Sequence, residues 1–164
     1  MKGIDVKNIC SVISLSVLVL LLLVGCVSSS SKLVKSEDGN DWVKFMNDDV
    51  GNVYSYKKVN IDKNGGNYIV QVLEKQIYSN EGREKEIQSR IKDGLSIEGY
   101  NKLSEQRILF EIDCKKRRDH GLSLIQYDKD GKVLFSYDID TNKRKWSHVI
   151  TDSYDEIVLK KVCE

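Results

Sequence analysis

The chain has 164 residues, with 26 lysines and arginines against 25 aspartates and glutamates, and a net charge of +1. That balance excludes a globally basic nucleic-acid binder and a polybasic membrane-surface protein. The length beyond the first 25 residues fits one domain with a core of moderate size.

The chain opens with Lys2 and Lys7, followed by an uncharged apolar run from Ile9 to Val24. The run ends in Leu23-Val24-Gly25-Cys26, and four serines, Ser28 to Ser31, come soon after. A positive n-region, an apolar h-region and a small residue before the cut form the pattern of a secretory signal. Leu-Val-Gly-Cys in that place resembles a bacterial lipobox, which implies acylation of the Cys26 thiol and cleavage before it. Residues 1–25 then form a lipoprotein signal peptide, and Cys26 is the lipid attachment point. A diglyceride plus an N-terminal acyl group meets the two-chain requirement for stable anchoring. The alternative is an uncleaved anchor, because Ile9 to Val27 is almost long enough to span a bilayer. Both readings put the remainder outside the cytoplasm, since the lysines favour the inside. Cleavage also removes Lys2, Lys7 and Asp5, which leaves the mature part without net charge. Residues 26–40 carry the anchor and a polar tether, and the folded domain is expected over residues 41–164.

Within that domain, Trp42 to Met46 reads as a short strand and Asn47 to Asn52 as a turn. Val53 to Tyr56 is a second strand, and Asn64-Gly65 marks the next turn. Tyr68 to Tyr78 alternates, with Tyr68, Val70 and Val72 on one face and Ile69 and Leu73 on the other. A strand with two partly apolar faces is expected to be central and covered on one side. From Glu84 to Leu95 the period changes. Ile87, Ile91 and Leu95 form a helical stripe, and a Glu86–Arg90 pair would add about 0.2–0.5 kcal/mol. Tyr100 to Glu105 reads as a further short turn of helix. Arg107 to Lys115 is a strand with Ile108, Phe110, Ile112 and Cys114 on one face. Leu122 to Asp128 and Lys132 to Ile139 make a hairpin around Asp128-Lys129-Asp130-Gly131. Ser153 and Glu156 form a capping box for a terminal helix.

Four cysteines are present. Cys10 leaves with the signal and Cys26 takes the lipid, so Cys114 and Cys163 remain in an oxidising compartment, where a pair bridges. A redox or metal site is the other reading, but the chain has no Cys-x-x-Cys and its two histidines are scattered. Cys114 lies on the apolar face of a strand and Cys163 on the apolar side of the last helix. Their bridge would clamp that helix to the sheet, and chain entropy alone gives roughly 4 kcal/mol for such a loop.

The order of these pieces resembles the surface-adhesin protein E family of bacterial envelope domains. The matching residues are Asp41-Trp42-Val43-Lys44, Val53-Tyr54-Ser55-Tyr56, and Glu111-Ile112-Asp113-Cys114 with its basic continuation. Tyr127 to Leu134, Trp146 and Val162-Cys163 complete the set. The resemblance implies an α+β fold: an antiparallel sheet of about six strands, a short middle helix and a C-terminal helix bridged to the sheet. It also implies attachment to surface molecules, and it supplies no catalytic motif.

Two charge-rich segments stand out as a candidate binding patch: Lys115, Lys116, Arg117 and Arg118, and Lys143, Arg144 and Lys145 beside Trp146. Either could meet an acidic glycan, headgroup or partner; the plain alternative is a solvated loop. If the first run is a patch, reversing its four charges should weaken binding without lowering stability. Asp128-x-Asp130-Gly131 suggests calcium, but the twelve-residue loop with its closing Glu is missing and a hairpin turn explains it. His120 and His148 are isolated, no nucleophile elbow is present, and no cofactor or metal is expected. The sequence thus reads as a lipid-anchored extracytoplasmic binding module of the cell envelope. It is not an enzyme; its partner is an unidentified protein or glycan, and it does not bind nucleic acid. The alternative is a periplasm-facing structural or assembly lipoprotein that binds another envelope protein.

Overall fold

The computed structural model describes residues 41–164. The expected signal peptide, Cys26 and the tether lie outside the described residues. Seven strands and two helices follow one another: β1 (Val43–Asn47), β2 (Val53–Asp62), β3 (Ile69–Ile77), α1 (Asn80–Lys92), β4 (Leu103–Asp113), β5 (Arg118–Asp128), β6 (Val133–Asp138), β7 (Ser147–His148) and α2 (Tyr154–Cys163). Strands β1 to β6 lie side by side in chain order, each antiparallel to its neighbour, and β7 pairs with the start of β5. A meander needs only short connections; the one long link, between β3 and β4, carries α1.

Alternation along β3 sets the faces. Val70 pairs with Ile112 and Val72 with Phe110. These side chains meet Tyr56 and the α2 residues Val158, Leu159 and Val162 in the main core. The Cys114–Cys163 disulfide joins the end of β4 to the end of α2 across 5.6 Å between Cα atoms. At the N-terminus of α2 the Ser153 hydroxyl accepts from the Glu156 amide at 3.3 Å, as the capping box requires. A bulge between Lys44 and Met46 re-aims Phe45 toward the core, where its ring lies 5.8 Å from Tyr56 and 6.1 Å from Tyr154.

Helix α1 occupies the other end of the same face and is held differently. Tyr78, Tyr100 and Leu103 form a small second cluster with Ile87 and Leu134 packed against it. Gln126 is its polar hub. Tyr100 donates to Gln126 Oε1 at 2.6 Å, and Gln126 Nε2 donates to Gln106 Oε1 at 2.8 Å and to Glu86 Oε1 at 3.2 Å. Gly82 lies so close to the β1–β2 turn that a Cβ there would fall 1.9 Å from Asn52 Oδ1. Asn52 also accepts from the Ser79 amide at 2.9 Å, so the helix start is fastened to that turn.

The structure departs from the periodicity reading at α1. The helix starts at Asn80, capped by Ser79, and its buried residues are Gly82 and Arg90. Ile91 and Leu95 are each 51% exposed. Polar contacts outweigh the apolar stripe: Arg83 Nε donates to the Leu103 carbonyl at 2.6 Å, and the Arg90 guanidinium lies 4.1 Å from the Tyr100 ring centre. Glu86 faces Gln126 rather than Arg90. The helical turn expected over Tyr100 to Glu105 is confined to Tyr100–Lys102, because β4 begins at Leu103. Strand β5 likewise takes in Arg118, Asp119 and His120, which pair with Asp113, Ile112 and Glu111.

Candidate binding surfaces

The first basic run and Trp146, which follows the second, meet beside β5 at one corner of the sheet. Lys115, Lys116 and Arg117 turn the chain from β4 into β5, with Arg117 in the left-handed region at φ 48. Residues 143–149 return beside β5 through β7. Trp146 joins the two: its ring stacks on His120 at 4.1 Å between centroids and 9° between planes, and the Arg118 guanidinium lies 4.5 Å from it. His120 Nε2 donates to Glu111 Oε2 at 2.9 Å, and its Nδ1 is buried without a partner.

The cations at this corner divide into two kinds. Arg118 Nε donates to Asp113 Oδ2 at 3.2 Å, and that carboxylate is almost wholly buried. Arg117 reaches the buried Glu156 of α2 at 2.5 Å, and Arg144 Nε donates to the Ile139 carbonyl at 3.1 Å. The arginines thus tie the turn, the return segment and α2 to the sheet. The lysines stay in solvent. Lys115 Nζ touches the Gly66 carbonyl, Lys116 lies 3.8 Å from Asp113, and Lys143 lies 3.2 Å from Asp140, each at an exposed position. Lys145 is exposed as well. Glu156 is held below the usual carboxylate range by the Asp152 amide, then by Lys160 and Arg117.

A second feature, a cleft, opens on the helix-covered face between α2 and strands β3 to β5. Glu74 follows Val70 and Val72 in phase on β3, pairs with Ile108 across the ladder, and is only 4% exposed. It lines a cavity of about 190 Å3 with Phe110, Asp119, Tyr154, Asp155 and Val158. Burial raises the Glu74 carboxyl to about 7; the Tyr154 hydroxyl opposes that rise and the Asp155 charge adds to it. Although that hydroxyl faces Glu74, it is buried without a partner in hydrogen-bond geometry. Burial also raises Asp119, with Asp155 adding to the rise and His120 opposing it.

Glu74, Asp119 and Tyr154 escaped the reading of the sequence as site residues. The signal for Glu74 was present in the alternation, which puts a carboxylate in phase with Tyr68, Val70 and Val72. Trp42 and Trp146 both lie on or beside the face that bears no helix, Trp42 beneath Lys75 at 4.1 Å and Lys57 at 5.1 Å. Among the described residues no group of acidic, histidine or cysteine side chains could hold a metal, and no helix is long and apolar enough to cross a membrane.

Comparison with curated proteins and with solved structures finds no match. The family model for surface-adhesin protein E matches residues 42–164. That span takes in all seven strands, both helices, the disulfide and the basic corner. The chain therefore belongs to the surface-adhesin protein E family.

Proposed function

We infer that the protein is a lipid-anchored, extracytoplasmic adhesin-type module, held at the membrane through Cys26, that attaches to acidic molecules of extracellular or host surfaces. It acts by binding and not by catalysis. The contact surface is the corner formed by Lys115, Lys116, Arg117 and Arg118 with Lys143, Arg144, Lys145 and Trp146. The observation that carries this reading is Trp146, stacked on His120 and Arg118, which joins two basic runs far apart in the chain. The arginines set the shape of the corner, and the exposed lysines supply charge to a partner. A packed aromatic beside exposed cations suits an acidic glycan or an acidic protein segment.

The test uses the full chain in detergent on a heparin-coated surface as an acidic probe. Binding should weaken as salt rises, and reversal of Lys115, Lys116, Lys143 and Lys145 to Glu should weaken it about tenfold or more. Equal binding by the variant would remove the corner as the contact surface. Protease treatment of intact cells then separates display from the alternative role. Loss of the domain supports attachment at the surface, whereas full protection supports an assembly partner inside the envelope.

A further inference from the structure

We propose that the cleft between α2 and strands β3 to β5 is a binding pocket for an alkylammonium group, a protonated primary amine on an apolar stem. Three carboxylates line it, Glu74 from β3, Asp119 from β5 and Asp155 from α2. Among the described residues, none of the three has a salt-bridge partner, although nine other ion pairs form. Asp155 has a local reason for its place, since it lies in the first turn of α2, where the helix dipole favours an acid. Glu74 has none. It is an acidic side chain in mid-strand, more than nine-tenths buried, lining the cavity without a cationic partner and with only the Tyr154 hydroxyl set against it. Burying an unpaired carboxylate opposes folding, so such a group in a core-facing position points to a ligand that completes it.

The walls define the ligand. Phe110, Ile108 and Val158 are apolar, and the Tyr154 ring, 5.6 Å from Tyr54, closes one side. The pocket therefore offers an apolar sleeve that ends in negative charge and a free hydroxyl oxygen. An ammonium head has only donors and would meet Glu74 and the Tyr154 oxygen, while its methylene stem would lie against Phe110 and Val158. A metal ion fits poorly, because the lining offers too few converging oxygens among apolar groups. The pocket is distinct from the lysine corner and opposite to it in charge, so either can fail without the other.

The groups facing Glu74 are Tyr54 from β2, Asp119 from β5, and Tyr154 and Asp155 from α2, while the His120 ring is turned to Glu111 and Trp146. The experiment is run at pH 8, above the value of about 7 to which burial raises Glu74 and below the range in which a primary amine loses its proton. The full chain in detergent is titrated with Nα-acetyl-lysine methylamide, with cadaverine and with n-butanol, and the side-chain resonances of Phe110, Tyr154 and Val158 are followed. Saturable shifts at these residues are expected with both amines and none with the alcohol. Glu74→Gln should weaken the amines about tenfold or more, as loss of a charge-assisted contact does. Asp155→Asn, at an exposed position, gives a second variant whose fold is not in question and should weaken them less. Tighter binding of the lysine derivative assigns the pocket to a side chain of a protein partner; tighter binding of cadaverine assigns it to a free polyamine. No shift with either amine, or equal affinity in Glu74→Gln, would overturn the proposal.

Discussion

The basic corner and the acidic cleft treat charge in opposite ways. At the corner, Asp113 and Glu156 are buried, and each is answered by an arginine at hydrogen-bond distance. In the cleft, Glu74 is buried just as deeply and is answered by nothing but a tyrosine oxygen. Charge that is dense in sequence can thus be tied up in the fold, whereas a single carboxylate in an apolar strand can be left open. The disulfide stands between the two regions. Cys114 leads directly into the basic turn, and Cys163 ends the helix that walls the cleft.

Breaking that link is the largest perturbation. Reduction, or Cys163→Ser, should cost about 2–5 kcal/mol of stability. It should also make the amides of α2 exchange before those of β3 and β4, as read by native-state hydrogen exchange. Unchanged protection of α2 would mean that the core contacts of Val158, Leu159 and Val162 hold the helix unaided.

Removing the charge in the cleft should stabilise the protein. The folded Glu74 carboxyl titrates near 7 against an ordinary value of 4.5. The folded state therefore keeps a proton that the unfolded chain gives up, and stability falls as pH rises from about 4.5 to about 7. Asp119 is shifted in the same direction. Glu74→Gln should flatten this fall and add about 3 kcal/mol at pH 8, measured by urea denaturation. Asp48 acts in the opposite sense. Its burial favours the neutral acid, but bonds from Asn52, Tyr54 and Val50 outweigh that and hold its carboxyl below the ordinary value. Together with Glu156, it contributes stability that is present at neutral pH and lost as pH falls below the ordinary carboxylate range.

At the corner the sign reverses. Arg118→Ala leaves the Asp113 carboxylate short of a donor and should cost about 1–3 kcal/mol. The smallest effects belong to the lysines. Lys115→Glu, Lys143→Glu and Lys145→Glu should each change stability by less than about 0.5 kcal/mol while reducing attachment to an acidic surface. The expectation that all four cations of the first run could be reversed without loss of stability is therefore narrowed to its lysines.

Much of the fold was legible in the sequence. Alternation marked β3 and β4, Asp-Gly marked the β5–β6 turn, Ser153 and Glu156 marked α2, and counting the cysteines paired Cys114 with Cys163. The face of α1 was not legible. Its isoleucines keep helical spacing, yet Arg90 is buried because the Tyr100 ring and the Ser96 carbonyl, both beyond the helix, receive it. No local period encodes such a partner. The basic runs were visible as charge, but their division into arginines paired with buried carboxylates and exposed lysines depends on Asp113 and Glu156, the second of them 39 residues beyond its partner Arg117.

The contrast between corner and cleft is tested most directly by urea denaturation of Arg118→Ala and Glu74→Gln beside the parent protein at pH 8. The two charge removals should move stability in opposite directions, with Arg118→Ala down and Glu74→Gln up. Two shifts of the same sign, or no gain in Glu74→Gln, would contradict the claim that one region neutralises its buried charge and the other leaves it open.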